Sequence, residues 1–247
     1  TTNKEQLLSL MSKVGLSIER KEQIVELIKQ LWITMYGNSL QGRAETLIEA
    51  ITKYASDFSR VPVLRENIAY LLSEFNEFSQ SCLETINVMQ FASFTLQYGT
   101  PSHACRTLEE LSDFKGNQSP SFREFFRPGI SAPFAQSIVR QSNKDLWILR
   151  PSSNVSFYTI HKGDACSKIQ FDCLAGTFGM ETMSGKVEKE SIHELLFNTL
   201  QLTLPVEETV VADIPPSIPL QDCTDCFQSF SPLISASQFS YDSQVFH

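Results

Sequence analysis

The feature that most constrains this chain is a change of hydrophobic period part-way along it. From residue 1 to about 115, apolar residues recur at helical spacing. Beyond Gly116-Asn117-Gln118-Ser119-Pro120 they gather in short runs of strand length. Helices in one block followed by strands in the next predict an α+β protein rather than alternating βαβ units.

The helical block reads as five stripes. Leu7, Leu8, Met11 and Val14 form the first, and Ile24, Val25, Leu27, Ile28, Leu31, Trp32 and Met35 the second, stopped by Gly37. Ala44, Leu47, Ile48, Ile51 and Phe58 give a third. Leu64, Ile68, Leu71, Leu72 and Phe75 give a fourth, with Pro62 suited to its first turn. Leu83, Ile86, Met89 and Phe94 give a fifth, ended by Gly99-Thr100-Pro101. Short connections favour antiparallel neighbours, so residues 1–118 are expected to form a helical bundle. One face of that bundle is a candidate site for a second partner.

After the break, Leu146-Trp147-Ile148-Leu149 and Val155 to Ile160 read as strands, with further strand signals around Gly176 to Met180. Residues 186–202 return to helical spacing through Val187, Ile192, Leu195, Leu196 and Leu200. Residues 119–210 are thus expected to form a second, mixed domain. The Pro- and Ser-rich stretch 211–247 reads as an irregular arm.

Charge sharpens the functional reading. The 247 residues carry a net charge of −8, against the basic footprint of a nucleic-acid binder, so no nucleic-acid partner is expected. Yet residues 119–168 hold seven basic side chains and only three acidic ones. A locally basic stretch in an acidic chain suggests a focused anion site. No apolar run approaches the length of a membrane span. The chain starts Thr1-Thr2-Asn3, with neither an initiator Met nor a signal-peptide pattern. Six scattered cysteines in a chain with 42% apolar residues do not read as a disulfide framework, and a reducing compartment, the cytosol by default, is expected.

Arg150 is the residue that draws the anion reading together. It ends an apolar strand, so its guanidinium is partly buried and needs a partner. No acidic residue lies in the next four positions, which read Pro151-Ser152-Ser153-Asn154. Hydroxyls, an amide and turn N–H groups beside an arginine fork suit a phosphate. The competing reading is a structural arginine paired with a distant carboxylate such as Asp172.

The order of elements around WILRPSS resembles a Src homology 2 domain, the phosphotyrosine-binding module. Phe125 to Ser131 is similar to the opening aromatic–glycine–Ile–Ser segment of that family, WILRPS to its FLVRES strand, and CSKI to its HYKI strand; Ser191 to Leu200 takes the place of its second helix. The resemblance covers about 122–204. It implies a central antiparallel sheet flanked by two helices and a non-enzymatic protein that needs no cofactor or metal. Its partners would be tyrosine-phosphorylated proteins or peptides. It further implies Arg150 as the phosphate-binding arginine, Ser152 as the strand-end serine and Lys168 beside the phosphotyrosine ring. Ser153 and Asn154 would add turn donors. The loop after Arg150 is shorter than the family's, the first helix lacks the family's basic residue, and Cys166 stands where the family has histidine. Either His161, Arg140 or Lys162 would therefore complete the phosphate coordination, or that coordination would be weaker. The family also occurs in secreted bacterial effectors with unusual loops, for which the host cytosol would be the place of action.

Three further features carry other expectations. Cys223-x-x-Cys226 with Cys166 and Cys173 is a weak zinc or redox pattern, its spacing wrong for a standard knuckle. Cys105 beside His103 reads as a loop thiol rather than a catalytic dyad. Tyr241, in Ser240-Tyr241-Asp242-Ser243, reads as a plain tail tyrosine. The alternative function is a helical scaffold that binds no phosphotyrosine, with Arg150 a structural ion-pair residue.

Overall fold

Among the described residues, the helical spacing of the first block folds into six α-helices, α1 (Thr2–Leu10), α2 (Ile18–Tyr36), α3 (Ala44–Thr52), α4 (Val61–Glu74), α5 (Val88–Tyr98) and α6 (Pro101–Ser112). A computed structural model describes residues 2–74, 84–112, 125–142 and 146–202. Local chemistry sets the ends of these helices. Ser17 caps α2 by accepting from the Arg20 N–H, and Gly37, with φ +62, closes it. Asn87 and Gln90 form a reciprocal capping box at the start of α5.

The fifth stripe splits. Ile86 belongs to a short strand β2 (Thr85–Asn87), which pairs with β1 (Gln41–Arg43) through Gly42 and Ile86. Three-residue strands fall below the length at which alternation can be read from sequence. Cys105 lies on a helix, not a loop: Pro101 occupies the first helical position of α6, where its missing N–H costs nothing.

Among the described residues, the second block builds one antiparallel meander of five strands: β3 (Trp147–Pro151), β4 (Phe157–Lys162), β5 (Ala165–Asp172), β6 (Thr177–Thr182) and β7 (Gly185–Lys189). An N-terminal, mostly helical region followed by a sheet-and-helix region makes the described chain α+β. Lys162 pairs with Ala165, leaving the two-residue turn Gly163-Asp164, where Gly163 has φ +56. That positive φ suits the right-handed twist of a tight hairpin. Residues 186–189, read as helical from Val187, are the edge strand β7. Alternating Lys186, Glu188 and Lys189 make it a charged edge that resists further pairing. Helical structure resumes only in a single turn, α8 (Ile192–Glu194), capped by Ser191 and continued by a wide turn over Leu195–Thr199.

The two faces of the sheet differ. Trp147, Leu149, Tyr158, Ile160, Ile169, Phe171 and Phe178 point one way and share a continuous core with α1–α6, Leu195 and Leu196. Tyr158 is fully buried, its hydroxyl donating to the Gln97 carbonyl of α5, and Gln97 Nε2 donates to the Phe157 carbonyl at 3.1 Å. Each such aromatic contributes about 1.5–3 kcal/mol by burial. The opposite face is covered at one end by α7 (Ala132–Gln141), whose Ala135 and Val139 pack on Ile148. Ser131 caps α7 by accepting from the Phe134 N–H at 3.3 Å. Phe126 bridges Leu149 in parallel, and the Arg127 N–H donates to the Leu149 carbonyl at 2.9 Å.

The Gly116–Pro120 break, the arm from 211, Cys223, Cys226 and Tyr241 lie outside the described residues. No described helix is long and apolar enough to cross a membrane.

Candidate functional site

Sheet register decides which of the basic side chains can meet. Arg150 pairs with Thr159, and Thr159 pairs with Lys168 on its other side. Cross-strand partners share a face. Arg150, Thr159 and Lys168 therefore lie in a row across β3, β4 and β5 on the face that carries α7. Two strand spacings separate the ends of that row, about 10 Å. Ile148, His161 and Cys166 form the next row; α7 covers its Ile148 and His161 end, and Cys166 is exposed. Lys162 pairs with Trp147 and so belongs to the opposite face.

Arg150 is half-buried. Its Nε donates to His161 Nε2 at 3.3 Å, and its Nη1 donates to the Pro151 carbonyl at 2.8 Å. No carboxylate pairs with it among the described residues, and desolvation lowers its pKa from the ordinary value. Asp172, the distant partner considered from sequence, is engaged elsewhere: its Oδ2 accepts from Arg20 Nη2 at 2.8 Å. Its Oδ1 accepts from the N–H groups of Leu174 and Ala175.

The turn after Arg150 is tight. The Ser152 N–H donates to the Phe157 carbonyl at 2.8 Å, and the Phe157 N–H to the Asn154 carbonyl at 3.3 Å. Buried Ser156 closes it at φ +70, its carbonyl accepting from the Phe171 N–H. Ser153 is exposed at the tip, while Ser152 and Asn154 are half-buried. Lys168 is exposed.

The three residues named from sequence as auxiliary phosphate donors have other surroundings. His161 is buried behind Arg150, with Nδ1 3.0 Å from Gln136 Oε1. Burial, and then Arg150, lower its pKa from the ordinary value. Arg140 Nε donates to Asp164 Oδ1 at 2.8 Å on the β4–β5 turn. Lys162 is on the far face. Gln136 has no counterpart in the sequence reading. The only signal for it is its i, i+4 spacing with Arg140, which puts both beside the turn they bind.

The described thiols, Cys105, Cys166 and Cys173, do not assemble a reactive centre. Burial and Glu109 push Cys105 up to about 11; burial and Asp172 push Cys173 up to about 12. Cys166 is exposed at the other end of β5 from Cys173, and no metal-holding group of three or more His, Cys, Asp or Glu occurs among the described residues.

No family model matches the chain, and no curated protein resembles it in sequence. Solved structures do resemble it in fold. The C-domain of the Inr binding protein IBP39 of T. vaginalis, in its cubic form, aligns over 83% of this chain and 98% of its own, at 12% identity and a TM-score of 0.52. Its tetragonal form aligns over 85% and 97%, at the same identity and TM-score. The TKB region of an inactive choanoflagellate E3 ubiquitin ligase Cbl aligns over 92% of this chain and 58% of its own, at 13% identity and a TM-score of 0.36. At such identities the T. vaginalis likeness establishes shared architecture.

Proposed function

We propose that this chain is a non-enzymatic interaction protein. Its sheet region is a divergent Src homology 2 domain that binds tyrosine-phosphorylated peptides on the α7 face. The observation that carries this reading is Arg150: a half-buried guanidinium with no carboxylate partner among the described residues, at the mouth of a Ser-Ser-Asn turn. Burying an unpaired cation is costly, and an anionic ligand removes that cost.

In this reading the phosphate meets the Nη1 and Nη2 groups of Arg150, the hydroxyl of Ser152 and the donors of Ser153 and Asn154. Lys168, on the same row, lies along the ring and neutralises remaining charge. Phosphotyrosine supplies about −1.5 to −2 charges and three acceptor oxygens. Phosphoserine is too short to bring its phosphate down to a half-buried guanidinium. The domain division 1–118, 119–210 and 211–247 belongs to the same proposal, with the helical part a scaffold that shares the sheet's core.

Fluorescence anisotropy tests the reading. Phosphotyrosyl peptides should bind native protein, and their unphosphorylated and phosphoseryl counterparts should not. Arg150→Leu should weaken binding at least about a hundredfold, because hydrogen bonds to charged groups contribute about 1.5–3 kcal/mol each. It should leave the unfolding midpoint nearly unchanged. A structural ion-pair arginine would instead cost about 3–5 kcal/mol of stability when removed.

A further inference from the structure

Beside the row of Arg150, Thr159 and Lys168, on the same face of the sheet, runs a single polar chain. It begins at the β4–β5 turn, where Gln136 Nε2 donates to the Gly163 carbonyl. Gln136 Oε1 then stands 3.0 Å from His161 Nδ1, and His161 Nε2 faces Arg150 Nε at 3.3 Å. Each joint admits one assignment. Arginine Nε carries a hydrogen and no lone pair, so His161 Nε2 must accept. A neutral imidazole that accepts at Nε2 carries its proton on Nδ1, which donates to Gln136 Oε1. The Gln136 amide cannot turn over, because its oxygen would then oppose the Gly163 carbonyl.

We propose that Gln136 and His161 form a relay that fixes the rotation of the Arg150 fork, making His161 a positioning residue for the anion site. This rests on the phosphotyrosine reading above. Arginine has five N–H groups. His161 and the Pro151 carbonyl engage one each, and the three that remain sit on Nη1 and Nη2. With Nε held from behind, the fork cannot swing along the strand, and its terminal edge is left for two phosphate oxygens. Less rotamer freedom is then lost when the ligand arrives.

The charged and titratable groups around His161 fit this role. Arg150 on β3 and Lys168 and Cys166 on β5 share its face, and Arg140 of α7 is paired with Asp164 of the turn. No carboxylate touches the ring among the described residues. Protonated His161 would lose its acceptor and set two cations side by side, so the relay works only with the neutral ring.

The test uses the full chain and phenyl phosphate as the probe. Long-range ¹H–¹⁵N spectra should show His161 protonated at Nδ1 and bare at Nε2. His161→Leu, which has no acceptor, should weaken phenyl phosphate binding roughly tenfold. His161→Gln, whose amide oxygen reaches the Nε2 position, should restore it to within about twofold. Gln136→Leu, half-buried and cheaper to replace, should weaken binding severalfold and depopulate the Nδ1–H tautomer, and it carries the test if His161→Leu does not fold. An Nε2–H tautomer in native protein, or equal affinity of native protein and both leucine variants, would overturn the relay. Native protein with the expected tautomer but no affinity for phenyl phosphate or phosphotyrosine would show that the functional reading failed first. The relay would then have no ligand to position.

Discussion

Arg20, in the first turn of α2, reaches Asp172 at the far end of β5, and the 2.8 Å pair ties the helical block to the sheet. Asp172 also accepts from the N–H groups of Leu174 and Ala175, which begin the turn into β6. The two partners are therefore not equivalent. Arg20→Ala should cost about 1 kcal/mol or less, since the pair is partly solvated. Asp172→Ala should cost about 2 kcal/mol, because two turn N–H groups lose their acceptor as well. Urea unfolding of the single and double variants would check this, and equal costs would place the strength in the ion pair alone.

Acid should weaken the fold in two stages. His161 and His103 both have lowered pKa values, first from burial and then from Arg150 and Arg106 respectively. The unfolded chain takes up those protons at about pH 6.5 while the folded one does not. Stability thus falls as pH drops from about 6.5 towards the lowered folded values. Burial alone would raise Asp172, but Arg20 and the Ala175 and Leu174 N–H groups outweigh it and hold its pKa down. Its stabilisation is full above the unfolded value of about 3.9 and is lost as pH falls through the lower folded value. Unfolding midpoints against pH would show the first stage, and His161→Gln with His103→Gln should flatten it.

Close approach, rather than flexibility, explains one glycine. Gly176 has φ +68, and a Cβ there would stand 2.5 Å from His103 Nε2. Gly163 has φ +56 with open space around it. Gly176→Ala should therefore cost about 2 kcal/mol or more and Gly163→Ala only about 1 kcal/mol. Comparable costs in thermal or urea unfolding would contradict the packing of α6 against the β5–β6 turn.

The described thiols should separate cleanly on alkylation. Cys166 is exposed, whereas Cys105 and Cys173 are buried with raised pKa values. Iodoacetamide at neutral pH, followed by peptide mass spectrometry, should label Cys166 and spare the other two until the chain unfolds. Phosphotyrosyl peptide should slow labelling of Cys166, which shares the face of Lys168 two residues away.

What the sequence disclosed and what it hid follow from the range of the interactions. The stripes of α2, α3 and α4 were legible because burial follows helical period there: Ile24, Ile28 and Trp32, or Leu64, Ile68 and Leu71, are all buried, whereas Phe58, read into the third stripe, lies beyond the end of α3 on a separate 3-10 turn and is exposed. Arg150 was legible because an apolar strand ends on it. The β1–β2 ladder, the helical state of Cys105 and the strand at 186–189 were not, being too short or too locally ambiguous for periodicity to decide. Gln136 and the Arg20–Asp172 pair depend on contacts between distant segments, which no local pattern encodes. His161 was picked out as one of three residues to complete the phosphate coordination. Its burial beneath α7 follows from register, since a one-residue slip would have placed Lys162 there instead.

The most direct measurement of the central claim is chemical-shift mapping of ¹⁵N-labelled full chain titrated with phenyl phosphate. Saturable shifts should be confined to Arg150, Ser152 to Asn154, Thr159, His161 and Lys168, and should disappear in folded Arg150→Leu. Shifts elsewhere, or none up to millimolar ligand, would contradict it.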